Sequence, residues 1–159
     1  MSYYRGVAHA DAAAAAPERI GVLAVNLGTP DAPSYFAVQR YLREFLSDRR
    51  VINTSRLIWL PLLYGLVLPF RPLRTARKYR EIWLHEGSPL AVYSTRLAAK
   101  LERLLRADLG DRVRVELGMT YGNPSIAHAL ESLAQQNIKK LLVLPLYPQY
   151  CSSTTGSVF

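Results

Sequence analysis

A short apolar run near the end of the chain constrains its fold most strongly. Residues 141–144 read Leu-Leu-Val-Leu, and Pro145 and Pro148 then interrupt the apolar pattern. A strand buried on both faces is continuously apolar in this way, whereas a strand with one solvated face alternates. The run therefore predicts a buried strand of a parallel sheet, which we place at residues 139–146.

Two other segments are also typical of strands. Residues 20–27 form a second apolar run, which ends at Gly28, Thr29 and Pro30. Residues 112–117 alternate between charged and apolar side chains, which is typical of a strand near the edge or end of a sheet.

Helices are predicted between these strands. Ser34 is a suitable cap for the first helix, and a second is expected over residues 73–83. Serine or asparagine followed by proline marks the start of a helix at residues 88–89 and at residues 123–124. The helix that begins at residue 88 should end near Gly110, and five leucines are expected on its inner face: Leu90, Leu97, Leu101, Leu104 and Leu105.

This order of elements predicts a three-layer α/β domain with a parallel sheet, because right-handed crossovers place helices on both faces of such a sheet. A chain of 159 residues is sufficient for one such domain. Residues 1–17 contain an alanine run without a hydrophobic targeting core, and we expect a disordered tail there. The domain is predicted to span residues 18–159.

The positive charge is confined to one quarter of the chain. The formal net charge is +8, and residues 40–80 account for all of it with ten basic and two acidic side chains. Such a patch attracts nucleic acid, anionic lipid or a ligand with carboxylates, and it is also compatible with a solvated surface that has no partner.

An apolar run of 14 residues, 57–70, lies within the basic region. It is shorter than the ~20 residues of a membrane span, and Pro61, Gly65 and Pro69 should disfavour a continuous helix.

The single cysteine, Cys151, excludes an internal disulfide framework and favours a reducing compartment.

The familiar signatures of nucleotide and hydrolase chemistry do not occur in the sequence. It contains no GxGxxG, P-loop or GxSxG motif, and His9, His85 and His128 have no metal-ligand spacing.

Three other features indicate ligand binding: residues 26–30, the group formed by Arg71, Arg74, Arg77, Tyr79 and Ser88, and the hydroxyl-rich residues 147–156. Arginine with tyrosine and serine hydroxyls can bind a carboxylate beside an apolar body. All three features should meet at one edge of the sheet.

Five motifs in register identify a family. They are VNLGTPDAP (residues 25–33), FLSDRRVI (45–52), KYREIWLHEGSPL (78–90), MTYGNPSI (119–126) and LPLYPQYCSSTTGS (144–157). With this order and spacing, the chain closely resembles the N-terminal half of ferrochelatase, the enzyme that inserts ferrous iron into protoporphyrin IX to form protohaem.

The resemblance implies a Rossmann-like domain, the first of two such domains with a porphyrin cleft between them. Residues 48–72 would form an apolar lip that contacts the porphyrin and an anionic membrane surface, in a cytoplasmic protein peripheral to the inner membrane. Tyr79 and Ser88 match residues that contact a porphyrin propionate, and Arg71 matches an arginine with the same role. Leu27 matches a residue that faces the macrocycle, and Tyr121 a tyrosine on the cleft wall, while Thr120 replaces an arginine of some members.

Some members of the family bind a [2Fe-2S] cluster through a cysteine in the loop of residues 147–156. Their pattern is Tyr-Ser-Cys-Ser, whereas this chain has Cys151 one position earlier, and a cluster needs four ligands. The resemblance thus leaves a cluster in a longer protein open and implies no resident cofactor in this chain.

Removal of two pyrrole protons calls for a base, and binding of the incoming metal calls for ligands. The family's histidine, in a Ser-Ala-His-Ser-like motif, and its downstream glutamate belong to the C-terminal catalytic domain, and neither motif occurs here. The resemblance therefore implies an incomplete enzyme that is inactive alone. The alternative is a non-catalytic half-domain that binds porphyrin or a membrane. Nucleic-acid binding is disfavoured because the basic patch surrounds an apolar run rather than base-stacking aromatics.

Overall fold

The computed structural model describes residues 18–158, so the tail predicted for residues 1–17 lies outside the described part of the chain. Three parallel strands, β1 (Ile20–Thr29), β2 (Val113–Gly122) and β3 (Lys140–Pro145), form one sheet in the order β2-β1-β3. Five helices accompany them: α1 (Tyr35–Ser47), α2 (Arg56–Leu62), α3 (Leu68–Ile82), α4 (Pro89–Leu109) and α5 (Ile126–Gln135). The prediction of a parallel α/β domain is confirmed.

The central strand β1 separates two apolar layers. Val22 and Ala24 pack with Ala98 of α4 on one face, and Leu23 and Val25 pack with helix α5 on the other. This alternation explains why the first apolar run is continuous, since both of its faces are covered.

Strand β3 is less enclosed than its sequence predicts. It lies at the edge of the described sheet, where Leu142 is 55% exposed and Leu141 and Leu144 are also accessible. Residues Leu142 and Leu144 pair with Val22 and Ala24, but α4 lies mainly over β2 and does not extend across β3. The prediction of a fully buried strand is therefore wrong for the residues described.

A continuous helical segment spans the apolar run 57–70, where a continuous helix was not expected, and includes nearly all of the helix predicted for residues 73–83. Helix α2, a π-helical turn at Leu63–Val67 and α3 follow one another without interruption, and we call the whole of Arg56–Ile82 the lip helix. Proline within a helix removes one hydrogen bond, and π turns are a common place where such irregularities are absorbed. Packing stabilises the segment, because Leu63 and Leu68 are buried against α1 and the Trp59 indole donates to the Leu46 carbonyl at 2.7 Å.

Helix boundaries agree with the capping signals in three places and differ in one. Ser34 and Ser88 cap α1 and α4 by accepting the amides of Ala37 and Ala91, and α4 ends at Gly110 as predicted. The cap of α5 is Ser125 rather than Asn123. Along α4 the inner face contains Val92, Ala98 and the partly buried Leu101 and Leu105, whereas three of the leucines expected there are exposed: Leu90, Leu97 and Leu104.

Candidate porphyrin-facing edge of the sheet

The carboxyl ends of the three strands form the candidate site. Strand β1 ends at Thr29, β2 ends at Gly122, and the pairing of β3 with β1 continues to Leu146, whose amide donates to the Val25 carbonyl at 2.7 Å. Parallel strands bring their carboxyl ends to one edge, as the sequence predicts.

Asn26 joins three elements at this edge. Its side-chain amide donates to the buried Ser94 hydroxyl of α4 at 2.9 Å, and its side-chain oxygen accepts the Leu27 amide at 2.8 Å. The Asn26 carbonyl accepts the Thr120 hydroxyl of β2 at 3.3 Å. The asparagine therefore fixes the backbone at Leu27, whose half-buried side chain packs beside the lip helix.

A contact between two hydroxyls connects β2 to the hydroxyl-rich loop of residues 147–156. The Thr120 and Tyr147 hydroxyl oxygens are 3.2 Å apart. Burial raises the pKa of Tyr147, and the hydrogen bond with Thr120 offsets part of that rise. Both groups stay neutral at physiological pH, so this part of the edge offers uncharged hydrogen-bonding groups.

Tyr79 of the lip helix lies over the end of β1. Its half-buried ring meets the Trp83 ring edge-on at 6.0 Å. Burial raises the pKa of Tyr79, and interaction with the Thr29 hydroxyl partly opposes this effect. The two hydroxyls do not reach full hydrogen-bond geometry, so Thr29 has a buried hydroxyl without a partner.

Ser88 and Arg71 have different surroundings from Tyr79. The Ser88 side chain is buried, and its hydroxyl accepts the Ala91 amide at 3.2 Å as the cap of α4. Arg71, Arg74 and Arg77 are exposed on α3, and no ion pair engages them within residues 18–158. The structure thus places Tyr79 at the strand ends, uses Ser88 in a helix cap and leaves the arginines free for an anion.

Tyr121 is buried beneath this edge. Its hydroxyl donates to the Asp48 carboxylate at 2.7 Å, and its ring meets the Phe45 ring edge-on at 5.2 Å. Burial and the bond to Asp48 raise the pKa of Tyr121 to about 12. Desolvation acts to raise the pKa of Asp48, but hydrogen bonds from Tyr121 and the Arg50 amide outweigh it and keep that pKa below its ordinary value. Tyr121 therefore supports the site from inside and has little surface of its own.

Cys151 is exposed in the loop after β3. Its sulfur lies 3.0 Å from the Thr154 hydroxyl and 3.2 Å from that of Ser153, and hydrogen bonds from these groups lower the pKa of the thiol. Within residues 18–158, no group of three histidine, cysteine or acidic side chains is arranged to hold a metal ion. A [2Fe-2S] cluster does not fit one thiolate, because it needs four ligands.

Comparison with known proteins identifies the family. A family model described as ferrochelatase matches residues 19–159. The chain belongs to the ferrochelatase family. It is 54% identical over 145 residues to ferrochelatase 2 of Shewanella oneidensis, covering 91% of this chain and 44% of that relative. It is 55% identical over 141 residues to the ferrochelatase of Hamiltonella defensa and 53% identical over 139 residues to that of Yersinia pestis, covering 89% and 87% of this chain.

The chain spans less than half the length of these ferrochelatases, 44%, 43% and 42% respectively. The resemblance to the N-terminal half of ferrochelatase, which was predicted from the five motifs, is confirmed. The Rossmann-like fold class that it implies is confirmed as well. Among the residues predicted for the site, Leu27 and Tyr79 pack against the same apolar cluster, which includes the buried Tyr121.

Sequence reasoning did not foresee the hydrogen bonds that connect the site. Asn26 and Tyr147 lie in segments predicted to bind a ligand, but their bonds to Ser94 and Thr120 were not predicted. The bond between Asp48 and Tyr121 was not predicted either. Asn26 had a signal, since it precedes Gly28 at the end of a strand. Asp48 and Tyr121 lie 73 positions apart, so only the fold reveals their contact.

Proposed function

We propose that this chain forms one wall of the porphyrin cleft of a ferrochelatase, which inserts ferrous iron into protoporphyrin IX to form protohaem. Membership of the ferrochelatase family over residues 19–159 supports this reaction, and the similar proteins are themselves named ferrochelatases. The observation that carries the proposal is the position of Tyr79. It lies at the carboxyl end of β1, on the same helix as exposed arginines and an exposed apolar face.

The surroundings of Tyr79 suit a porphyrin, which is a flat apolar ring with two propionate groups. The exposed Phe70 and the partly buried Leu27 offer apolar surface for the ring. Arg71 is free to pair with a propionate, and the neutral Tyr79 hydroxyl can donate to the same group. Ser88 reaches a propionate only by sharing the hydroxyl that caps α4, so its contact with substrate remains a prediction.

The chain supplies binding surface rather than the groups that move protons and metal. Iron insertion needs a base for two pyrrole protons and ligands for the incoming iron, which is a substrate here. The family's histidine and glutamate motifs do not occur in the sequence. We therefore propose that the 159 residues alone bind porphyrin without inserting iron, and that they hold no resident cluster, since Cys151 is the only cysteine.

Peripheral contact with an anionic membrane, at the cytoplasmic side of the inner membrane, is part of the proposal. By length and composition, the 27-residue lip helix, Arg56–Ile82, is the one helix among residues 18–158 that could cross a bilayer. Its inner face argues for surface contact instead, because Leu63 and Leu68 are buried against α1 and would have to leave that core. The outer face can enter a bilayer interface without unfolding the domain.

A chimaera tests the enzymatic role. Residues 19–159 of this chain, which match the family model, would replace the corresponding segment of the Shewanella oneidensis relative. Iron insertion would be followed by loss of porphyrin fluorescence. We expect an active chimaera, while the 159-residue chain alone binds porphyrin and forms no haem. Haem formation by the chain alone would contradict the proposed division of roles. Porphyrin binding by the chain with an inactive chimaera would favour the non-catalytic half-domain.

Replacing Tyr79 by phenylalanine in the chimaera tests the site. Loss of one hydrogen bond to a carboxylate costs about 1.5 kcal/mol, so the KM for porphyrin should rise roughly tenfold. Tyr64→Phe is the matched control, because Tyr64 is an exposed tyrosine of the same helix. Equal KM values for the two variants would remove Tyr79 from the site.

A further inference from the structure

The outer face of the lip helix is an exposed apolar stripe. Ile58, Leu62, Leu66 and Phe70 recur every four residues and are 68%, 42%, 55% and 62% exposed. Leu57, immediately before the stripe, is 88% exposed. At 1.5 Å per residue, the stripe extends for roughly 20 Å along the surface. Exposed apolar area of this length indicates an interaction surface rather than scattered single residues.

The basic residues around the lip helix fall into two separate groups. Arg49, Arg50 and Arg56 lie at its beginning, and Arg71 opens the group in its second half. Arg56 and Arg71 are roughly 22 Å apart along the helix, at 1.5 Å per residue. A single small anion cannot bridge this distance, so one such anion can contact only one of the two groups.

A concave pocket lies within the first group. Its volume is about 480 Å³, and it is lined by Arg49 and Arg56, by the polar residues 53–55 and by Leu57. No acidic side chain lines it. The nearest carboxylate in sequence, Asp48, already accepts the Tyr121 hydroxyl and the Arg50 amide. Arg56 has only a marginal bond to the Ser47 carbonyl at 3.5 Å, so both guanidinium groups are available to a ligand.

We infer that this pocket binds the phosphate of an anionic phospholipid headgroup while Leu57 and Ile58 enter the acyl region beside it. The inference rests on the proposed membrane contact and specifies where and how it occurs. A phosphate diester carries one negative charge and two unbridged oxygens, and both oxygens can accept hydrogen bonds from guanidinium groups. The adjacent apolar side chains distinguish a lipid from a free anion, because a free phosphate has no apolar portion for them to cover. The porphyrin carboxylates are left to the group that begins at Arg71.

Vesicle binding by the 159-residue chain tests the site. Vesicles of phosphatidylcholine with about 30 mol% phosphatidylglycerol would be compared with pure phosphatidylcholine, for the chain and for Arg49→Gln/Arg56→Gln. Each basic residue near an anionic surface contributes about 1 kcal/mol, so the double variant should bind anionic vesicles about 10- to 30-fold more weakly. Its weak binding to pure phosphatidylcholine and its binding of porphyrin should not change.

Lys100→Gln/Arg103→Gln is the matched control, because it removes the same charge from two exposed positions on α4, outside the lip. An equal loss in the control would overturn the pocket in favour of general electrostatic attraction. Unchanged binding by the Arg49 and Arg56 variant would also overturn it.

Three further results test the apolar insertion, the membrane contact itself and the lipid as the ligand. Leu57→Gln/Ile58→Gln should weaken binding to both kinds of vesicle, which supports insertion beside the pocket. Failure of the unmodified chain to bind any vesicle would overturn the membrane contact and the headgroup site together. If millimolar inorganic phosphate displaces the chain from anionic vesicles as well as matched excess lipid does, the pocket is a free-anion site and the lipid assignment is wrong.

Discussion

Tyr121→Phe should separate the internal support of the site from its surface. The substitution removes one hydroxyl, which donates to Asp48 at 2.7 Å, and keeps the ring that packs on Phe45. A hydrogen bond to a charged group contributes about 1.5–3 kcal/mol, and the partial exposure of Asp48 favours the lower value. We therefore expect the free energy of unfolding to fall by about 1.5 kcal/mol at pH 7.

Urea denaturation of the 159-residue chain measures this effect. With an m value of about 2 kcal/mol/M, the midpoint should fall by about 0.7 M. Tyr93→Phe is the control, because Tyr93 is an exposed tyrosine outside this contact, and its midpoint should not move.

The pH dependence identifies Asp48 as the partner. The pKa of Asp48 is lowered in the folded chain, so the contact stabilises fully above the ordinary aspartate pKa of about 3.9 and is lost as the pH falls through the folded value. The difference between the chain and Tyr121→Phe should therefore shrink below about pH 4. An unchanged midpoint at pH 7, or a difference that is constant down to pH 3, would refute the reasoning.

Two further substitutions test the backbone around the site. Ser88→Ala should lower stability by about 1 kcal/mol in urea denaturation, because it removes the cap of α4, while Ser88→Thr should restore most of it; equal stability of the alanine variant would contradict the capping role. Gly28→Ala should cost more than about 2 kcal/mol, since the new Cβ would lie 1.7 Å from the Tyr121 carbonyl oxygen at a φ of 103°. Gly65→Ala is its control in open space on the lip helix and should be neutral or slightly stabilising, so similar losses at the two glycines would argue against the close approach at Gly28.

The sequence predicted elements whose signals are local. Ser34 and Ser88 cap their helices because a hydroxyl needs only the next few amides, and the continuous run at residues 20–27 became the central strand. The prediction failed for the lip helix, where prolines indicated breaks. Packing of Leu63 and Leu68 against α1 offsets the lost hydrogen bonds, and that packing partner is distant in sequence.

The candidate site could also be predicted only in part, because only some of its features follow from local sequence signals. The meeting of the strand ends follows from parallel topology alone, and the five motifs identified the family. The roles of individual side chains depend on neighbours far along the chain. Ser88 was predicted to contact a propionate, and its hydroxyl caps α4 in the structure. Tyr121 was predicted for the cleft wall, and in the structure it is buried and donates to Asp48.

The central position of β1 has a consequence for how the chain folds. Ile20 of β1 pairs with Val113 on one side and with Lys140 on the other, so β1 is synthesised before both of its partner strands. At 5–20 residues per second, roughly 6 to 24 seconds pass between the appearance of β1 and that of its last partner. Until β2 has been synthesised, this largely apolar strand has no neighbour, and until β3 follows, one of its edges stays open. Both pairings depend on contacts of long sequence separation, which form slowly. The strand that holds the described sheet together is thus also the one that waits longest for its partners.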